Sequence, residues 1–144
     1  EDGKKDIWTN EADVFGSIGN YLERHGWRPD QTWGREIKMP DDMAARQALV
    51  DLTHEPNPPR SCKRALSAHS KKYSLDQWQE MGVRNLDGSD LPKVTSTNIE
   101  ATLLMPGGID GPAYLTYQNF RTILTYNCSN LYGLGVSSLS DRLK

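Results

Sequence analysis

Near the C-terminus the run Tyr126-Asn127-Cys128-Ser129 is followed by Tyr132, so tyrosines, an amide and a hydroxyl stand close together. Aromatic faces pack on sugar rings, and a primary amide donates and accepts at once, so it can read a hydroxyl or an acetamido group in both directions. The constellation suits a carbohydrate. The same residues have a local use as well: Asn127 and Ser129 are good N-caps, because short polar side chains accept from unpaired backbone N–H groups at a helix start. At the level of residue type both readings stand. Proton-transfer chemistry is poorly provided for. Glu23 and Glu80 fall on helical stretches but read as solvent-facing, and His25 has no partner acid nearby, so it reads as packing or capping.

The elements that must position this corner follow from periodicity. Phe120, Ile123 and Leu124 recur at i, i+3, i+4, and Leu131, Leu134 and Leu139 continue after the break, which predicts two consecutive helices over about 118–144. Residues 11 to 25 predict a further helix, with Val14, Phe15, Ile18, Tyr21 and Leu22 on one stripe and Gly26 as its C-cap. Tyr21 belongs to the buried stripe by spacing, yet a tyrosine can bury its ring and present its hydroxyl to a cleft. Residues 34–40 alternate as a half-exposed strand, and 41–52 suit a helix capped by Asp41 or Asp42, with Met43, Leu49, Val50 and Leu52 as its apolar content. A proline-rich, locally basic loop follows over 54–64; it reads as solvated surface, although its cations, with Lys71 and Lys72, could touch an anionic polymer. Ser74 and Gln77 form a capping box for a short helix that carries Leu75, Trp78 and Met81 inward and ends at Gly82. Asp87-Gly88 then turns the chain, and residues 99–105 and 112–117 flank a Pro-Gly-rich loop as a β-hairpin. The expected class is α+β, with helices packed on a small antiparallel sheet.

A chain of 144 residues suits one compact domain or part of one. Charged residues at 25% and a net charge of −2 provide no basic field for nucleic acid, and no apolar run approaches bilayer length. The sequence opens on Glu1, which places any targeting peptide or upstream domain outside it. Cys62 and Cys128 fit neither a zinc-site nor a Cys-x-x-Cys spacing; they read as buried or surface thiols, with pairing in an oxidising compartment left open. Asp2-Gly3-Lys4-Lys5-Asp6-Ile7-Trp8 has the texture of the second half of a calcium loop, although Asn10-Glu11-Ala12-Asp13 reads equally as a capping box.

Three segments, in order, carry a family resemblance. The C-terminal Phe-Arg-x-Ile-Leu-x-Tyr-Asn-x-Ser-x-x-Tyr, the segment Val14 to Trp27 with its Asn-Tyr-Leu and His-Gly-Trp, and Leu75 to Val83 resemble the MltB/SltB-type lytic murein transglycosylases, glycoside hydrolase family 103. The resemblance implies the C-terminal part of a lysozyme-like enzyme: a truncated calcium-loop-like start over 1–9, a helix and small β-subdomain over about 10–117, and helices over about 118–144 that complete the catalytic core. It implies cleavage of the MurNAc-β-1,4-GlcNAc bond in peptidoglycan by one glutamate, closing a 1,6-anhydro ring. That glutamate belongs to a Gly-x-x-Gly-x-Glu-type motif, and none of Glu1, Glu11, Glu23, Glu36, Glu55, Glu80 or Glu100 has that context. Hence no catalytic residue is expected in this chain, which alone would be inactive; Tyr126, Asn127, Tyr132 and Tyr21 are the expected groove residues.

Matched to the family's calcium loop, Asp2, Asp6 and Asp13 would be ligands, but the leading acids are missing and Lys4-Lys5 intrudes. No cofactor is required, and a structural calcium is the one the resemblance allows. The implied partners are peptidoglycan strands and other cell-wall enzymes. The implied place is the periplasm, with an outer-membrane lipoprotein anchor outside this sequence. Gly133 and Gly135 stand where the family often has Ala, which would loosen the last helix. A non-catalytic glycan-binding or calcium-stabilised module of the same fold is the alternative.

Overall fold

The computed structural model describes residues 11–93 and 99–143, with side chains from residue 16. Asp2 and Asp6, and the side chains of Asp13, Val14 and Phe15, lie outside the described residues. Helices α1 (Glu11–Arg24), α2 (Met43–Leu52), α3 (Lys63–Leu66), α4 (Leu75–Glu80), α5 (Gln118–Tyr126) and α6 (Asn130–Arg142) accompany strands β1 (Gly34–Lys38), β2 (Tyr73–Ser74), β3 (Arg84–Asn85), β4 (Glu100–Leu104) and β5 (Ala113–Thr116). The strands form one antiparallel sheet in the order β2-β4-β5-β1-β3. Among the described residues no helix is long and apolar enough to cross a membrane.

Strand alternation divides the interior in two. Ala101 and Leu103 of β4, Leu115 of β5 and Ile37 of β1 face one side, where they pack with Leu49 of α2 and Leu75 and Trp78 of α4. Leu104 faces the other side, against Leu66, Phe120 of α5 and Leu134 of α6. The capping box at α4 forms as its sequence predicts, with Gln77 N–H donating to Ser74 and Ser74 N–H donating to Gln77. Asp42 caps α2 through Ala45 N–H. Met43, expected among the apolar content of that helix, is exposed because it stands in its first turn, away from the sheet.

The last helix differs most from expectation. Leu134 is buried, but Leu131 and Leu139 are exposed, and the inward face of α6 is Gly133, Leu134 and Ser137. Small residues let α6 approach α5 closely, and Gly133 marks the crossing. A Cβ there would lie 2.9 Å from Cε2 and Cζ of Phe120, a fully buried ring with no room to withdraw. Gly133 therefore sets the helix spacing, whereas a Cβ at Gly135 meets nothing within 4 Å.

Gly135→Ala should raise stability by up to about 1 kcal/mol through helix propensity. Gly133→Ala should lower it by about 1–3 kcal/mol through overpacking, despite the same propensity gain. Urea-unfolding midpoints of the two variants check this, and shifts of the same sign would contradict the crossing described.

Candidate functional site

Four rings from three helical segments line up at the corner between α5 and α6. His25 stacks on Tyr21 at 3.9 Å between centroids, Tyr21 meets Tyr126 edge-on at 5.5 Å, and Tyr126 stacks with Tyr132 at 6.5 Å. Tyr126 is 49% and Tyr132 39% exposed, so their faces are open to a ligand. The structure thus brings together Tyr21, Tyr126, Asn127 and Tyr132. Tyr21 takes its place differently from expectation: its hydroxyl donates to the Thr125 carbonyl at 2.7 Å. That carbonyl is among the last of α5, which lack intrahelical partners, so Tyr21 latches the corner with its hydroxyl and contributes its ring to the row.

The cap assignments also separate. Ser129 caps α6, accepting from Tyr132 N–H at 3.2 Å. Asn127 is instead the C-cap of α5, in extended backbone conformation, with its N–H on the Ile123 carbonyl. No described residue hydrogen-bonds its exposed side-chain amide. The amide is not what holds the corner together.

Four attachments do that. Asn119, fully buried on α5, accepts from Arg28 N–H at 2.7 Å and donates to the carbonyls of Arg28 and Gln31 at 2.8 Å each. Thr122 donates to the His25 carbonyl at 3.1 Å, so the segment after α1 is bolted along α5. Cys62 and Cys128 form a disulfide, a correction to their reading as thiols; it ties the start of α3 to the residue after Asn127. Closing a loop of this size contributes on the order of 4 kcal/mol in the chain-entropy account. Neither Asn119 nor Thr122 announces itself in the sequence, since both sit on an otherwise ordinary amphipathic helix. A polar residue at a buried position of the stripe is the one signal that could have found them.

The fourth attachment is His69, 0% exposed. The Asn130 amide is oriented by donating to the Ala65 carbonyl, which turns its oxygen toward the ring. His69 therefore donates from Nε2 to Asn130 Oδ1 at 2.9 Å, and Nδ1 accepts from the Thr102 hydroxyl at 2.9 Å. Thr116 extends the chain at 2.7 Å from Thr102. The neutral ring links β4 and β5 to the first residue of α6. Burial, opposed by the Asn130 hydrogen bond and assisted by the charge of Arg121, lowers its pKa to about 4.

The sheet with helices on both faces and the exposed aromatic corner define an α+β domain with an open rim. Residues 1–141 match the family model described as the transglycosylase SLT domain, and the chain belongs to that family. Two crystal structures of SltB3 from Pseudomonas aeruginosa, in complex with NAG-anhNAM-pentapeptide and with NAG-NAM-pentapeptide, are similar to it at TM-scores of 0.76 and 0.77. Their identities are 36% and 37%, over 98% and 99% of this chain and 32% and 33% of theirs. The Escherichia coli lytic transglycosylase Slt35 in complex with bulgecin A shares the fold, with a TM-score of 0.64 and 23% identity over 97% of this chain and 36% of that one. The chain thus spans about a third of the length of these relatives. No curated protein sequence matches it.

Because the native state holds His69 neutral, the unfolded chain binds the extra proton between the ordinary value of 6.5 and about 4. Stability is then complete above pH 6.5 and falls as pH drops through that window, by roughly 3 kcal/mol in all. Thermal melts from pH 7 to pH 4 should show this slope, and His69→Gln should flatten it. An unchanged slope in the variant would show that other groups carry the acid sensitivity.

Proposed function

We propose that the intact parent of this chain is a peptidoglycan lytic transglycosylase, and that this chain supplies the saccharide-contacting rim and its scaffold. The observation that carries the reading is the exposed Tyr126–Tyr132 pair beside an Asn127 amide with no structural task. Stacked phenol faces pack on pyranose rings, and the amide can hold an acetamido group in both directions. SltB3, more than a third identical over nearly the whole chain, is named in complex with a saccharide carrying a pentapeptide, which supports the same ligand class here.

The reaction this reading assigns to the parent is non-hydrolytic. A single carboxylic acid protonates the departing GlcNAc oxygen, and the carboxylate then takes the proton of the MurNAc 6-hydroxyl as that oxygen closes on C1, giving the 1,6-anhydro product. None of the glutamates of this chain lies in the Gly-x-x-Gly-x-Glu context, so this reading assigns the proton-transfer residue to a part of the parent outside it. The rim would hold the sugar so that its 6-hydroxyl faces that carboxylate. A disulfide between Cys62 and Cys128 favours an oxidising compartment, which for this substrate is the periplasm.

Digestion of purified peptidoglycan by the intact parent, followed by mass spectrometry, should release 1,6-anhydro-muropeptides; their absence would overturn the reading. Asn127→Ala should lower turnover by at least about tenfold while changing stability by less than about 0.5 kcal/mol. Ser129→Ala, which removes a helix cap, should instead cost about 1 kcal/mol of stability.

A further inference from the structure

Away from the aromatic row, Arg28, Lys72 and Arg121 line one pocket from three separate parts of the chain: the segment after α1, the residue before β2, and the N-terminal half of α5. The pocket has a volume of about 130 Å³, and Thr102 and Thr116, the two threonines linked to His69, also line it. A second recess of about 300 Å³ shares Lys72 and Arg121 and adds Lys71; Glu100 lines the first recess and Glu55 the second, so cations outnumber carboxylates across the two.

Such a gathering has an electrostatic cost that Glu100 and Glu55 only partly offset. None of the three side chains makes a hydrogen bond or an ion pair with a described residue. Burial lowers the Lys72 pKa, Arg121 and Arg28 lower it further, and Glu100 alone opposes them. Arg121 is likewise pulled down by burial, with Glu55 acting the other way. Meanwhile Asn119 clasps the backbone of Arg28 on both its N–H and its carbonyl, which fixes the point from which that side chain departs. A half-buried guanidinium offers a planar fork of donors that matches a carboxylate in shape and charge.

We infer that these recesses bind carboxylates of the peptide attached to the saccharide, holding the stem while the aromatic row holds the sugar. Resting on the function proposed above, the assignment adds a second, anionic recognition element to it. The two sites share α5: Gln118, Arg121 and Thr125 fall on one stripe by their spacing of three and four, and Thr125 is where Tyr21 latches. Arg121 and Thr125 are about 6 Å apart along the helix axis. An extended peptide advances roughly 3.3 Å per residue, so a stem of a few residues spans from the sugar row into the recesses.

Calorimetric titration of the full chain tests this with a free pentapeptide stem, its fully amidated counterpart, and the disaccharide without peptide. Amidation should weaken binding by at least about tenfold, and so should Arg121→Gln, while the peptide-free disaccharide binds both proteins alike. Lys72→Gln, a change at an exposed position, should weaken the free-acid peptide several-fold and carries the test if the Arg121 variant does not fold. Equal binding of acid and amidated peptide, or indifference to both substitutions, would overturn the inference. So would an Arg121-dependent affinity for the peptide-free disaccharide, which would place the anion on the muramyl group. Binding of the disaccharide without any peptide preference would leave the glycan reading standing and remove this one; binding of the acid peptide alone would do the reverse.

Discussion

The corner that presents the aromatic row depends on a single uncharged imidazole. His69 sits where β4, β5 and the start of α6 converge, with the Thr102 hydroxyl and, at 3.4 Å, that of Thr116 on Nδ1 and the Asn130 amide on Nε2. A protonated ring would lose the Nδ1 acceptor role and place a cation in a site without a carboxylate. Burial makes the neutral form the stable one, and the hydrogen bonds make it directional. Because Asn130 is the first residue of α6 and Ser129 its cap, the position of Tyr132 follows from that buried contact.

Around this point the chain divides its polar groups into two sets. Asn119, Thr122, Thr102 and Thr116 are buried and hydrogen-bonded, so they fix geometry. Asn127, Tyr126 and Tyr132 are exposed, and Arg28, Lys72 and Arg121 make no side-chain hydrogen bond or ion pair with a described residue. Leaving surface groups uncommitted costs little, because water satisfies them until a ligand arrives. The disulfide and the close crossing at Gly133 supply the rigidity that such a display needs.

Much of this was legible in the sequence where the signals are local. The α1 helix with its Gly26 stop, the Ser74 capping box and the hairpin of β4 and β5 all follow from spacing and turn residues within a dozen positions. The α+β class and the family followed from those elements and from three ordered motifs. Long-range pairings were not legible: Asn119 finds Arg28, 91 residues away, and Cys62 finds Cys128, 66 residues away. The periodicity of α6 also misled, because leucines mark an apolar stripe without saying which stripe turns inward. At a tight crossing the inward face is the one with the smallest residues, here Gly133 and Ser137. For the candidate site, the residue types of Tyr126, Asn127 and Tyr132 pointed to sugar. What sequence alone could not separate was a capping asparagine from a free one, since that depends on backbone geometry at residue 127.

The central claim is that the Asn127 amide and the Tyr126–Tyr132 faces are a sugar-contacting surface held by buried structure. Nuclear magnetic resonance titration of the isotopically labelled chain with the peptidoglycan disaccharide tests it most directly. The account predicts that the side-chain amide signals of Asn127 and the ring signals of Tyr126 and Tyr132 move together along one saturable curve, while those of buried Asn119 stay in place. Shifts confined to other surfaces, or none at concentrations that saturate a millimolar site, would contradict it.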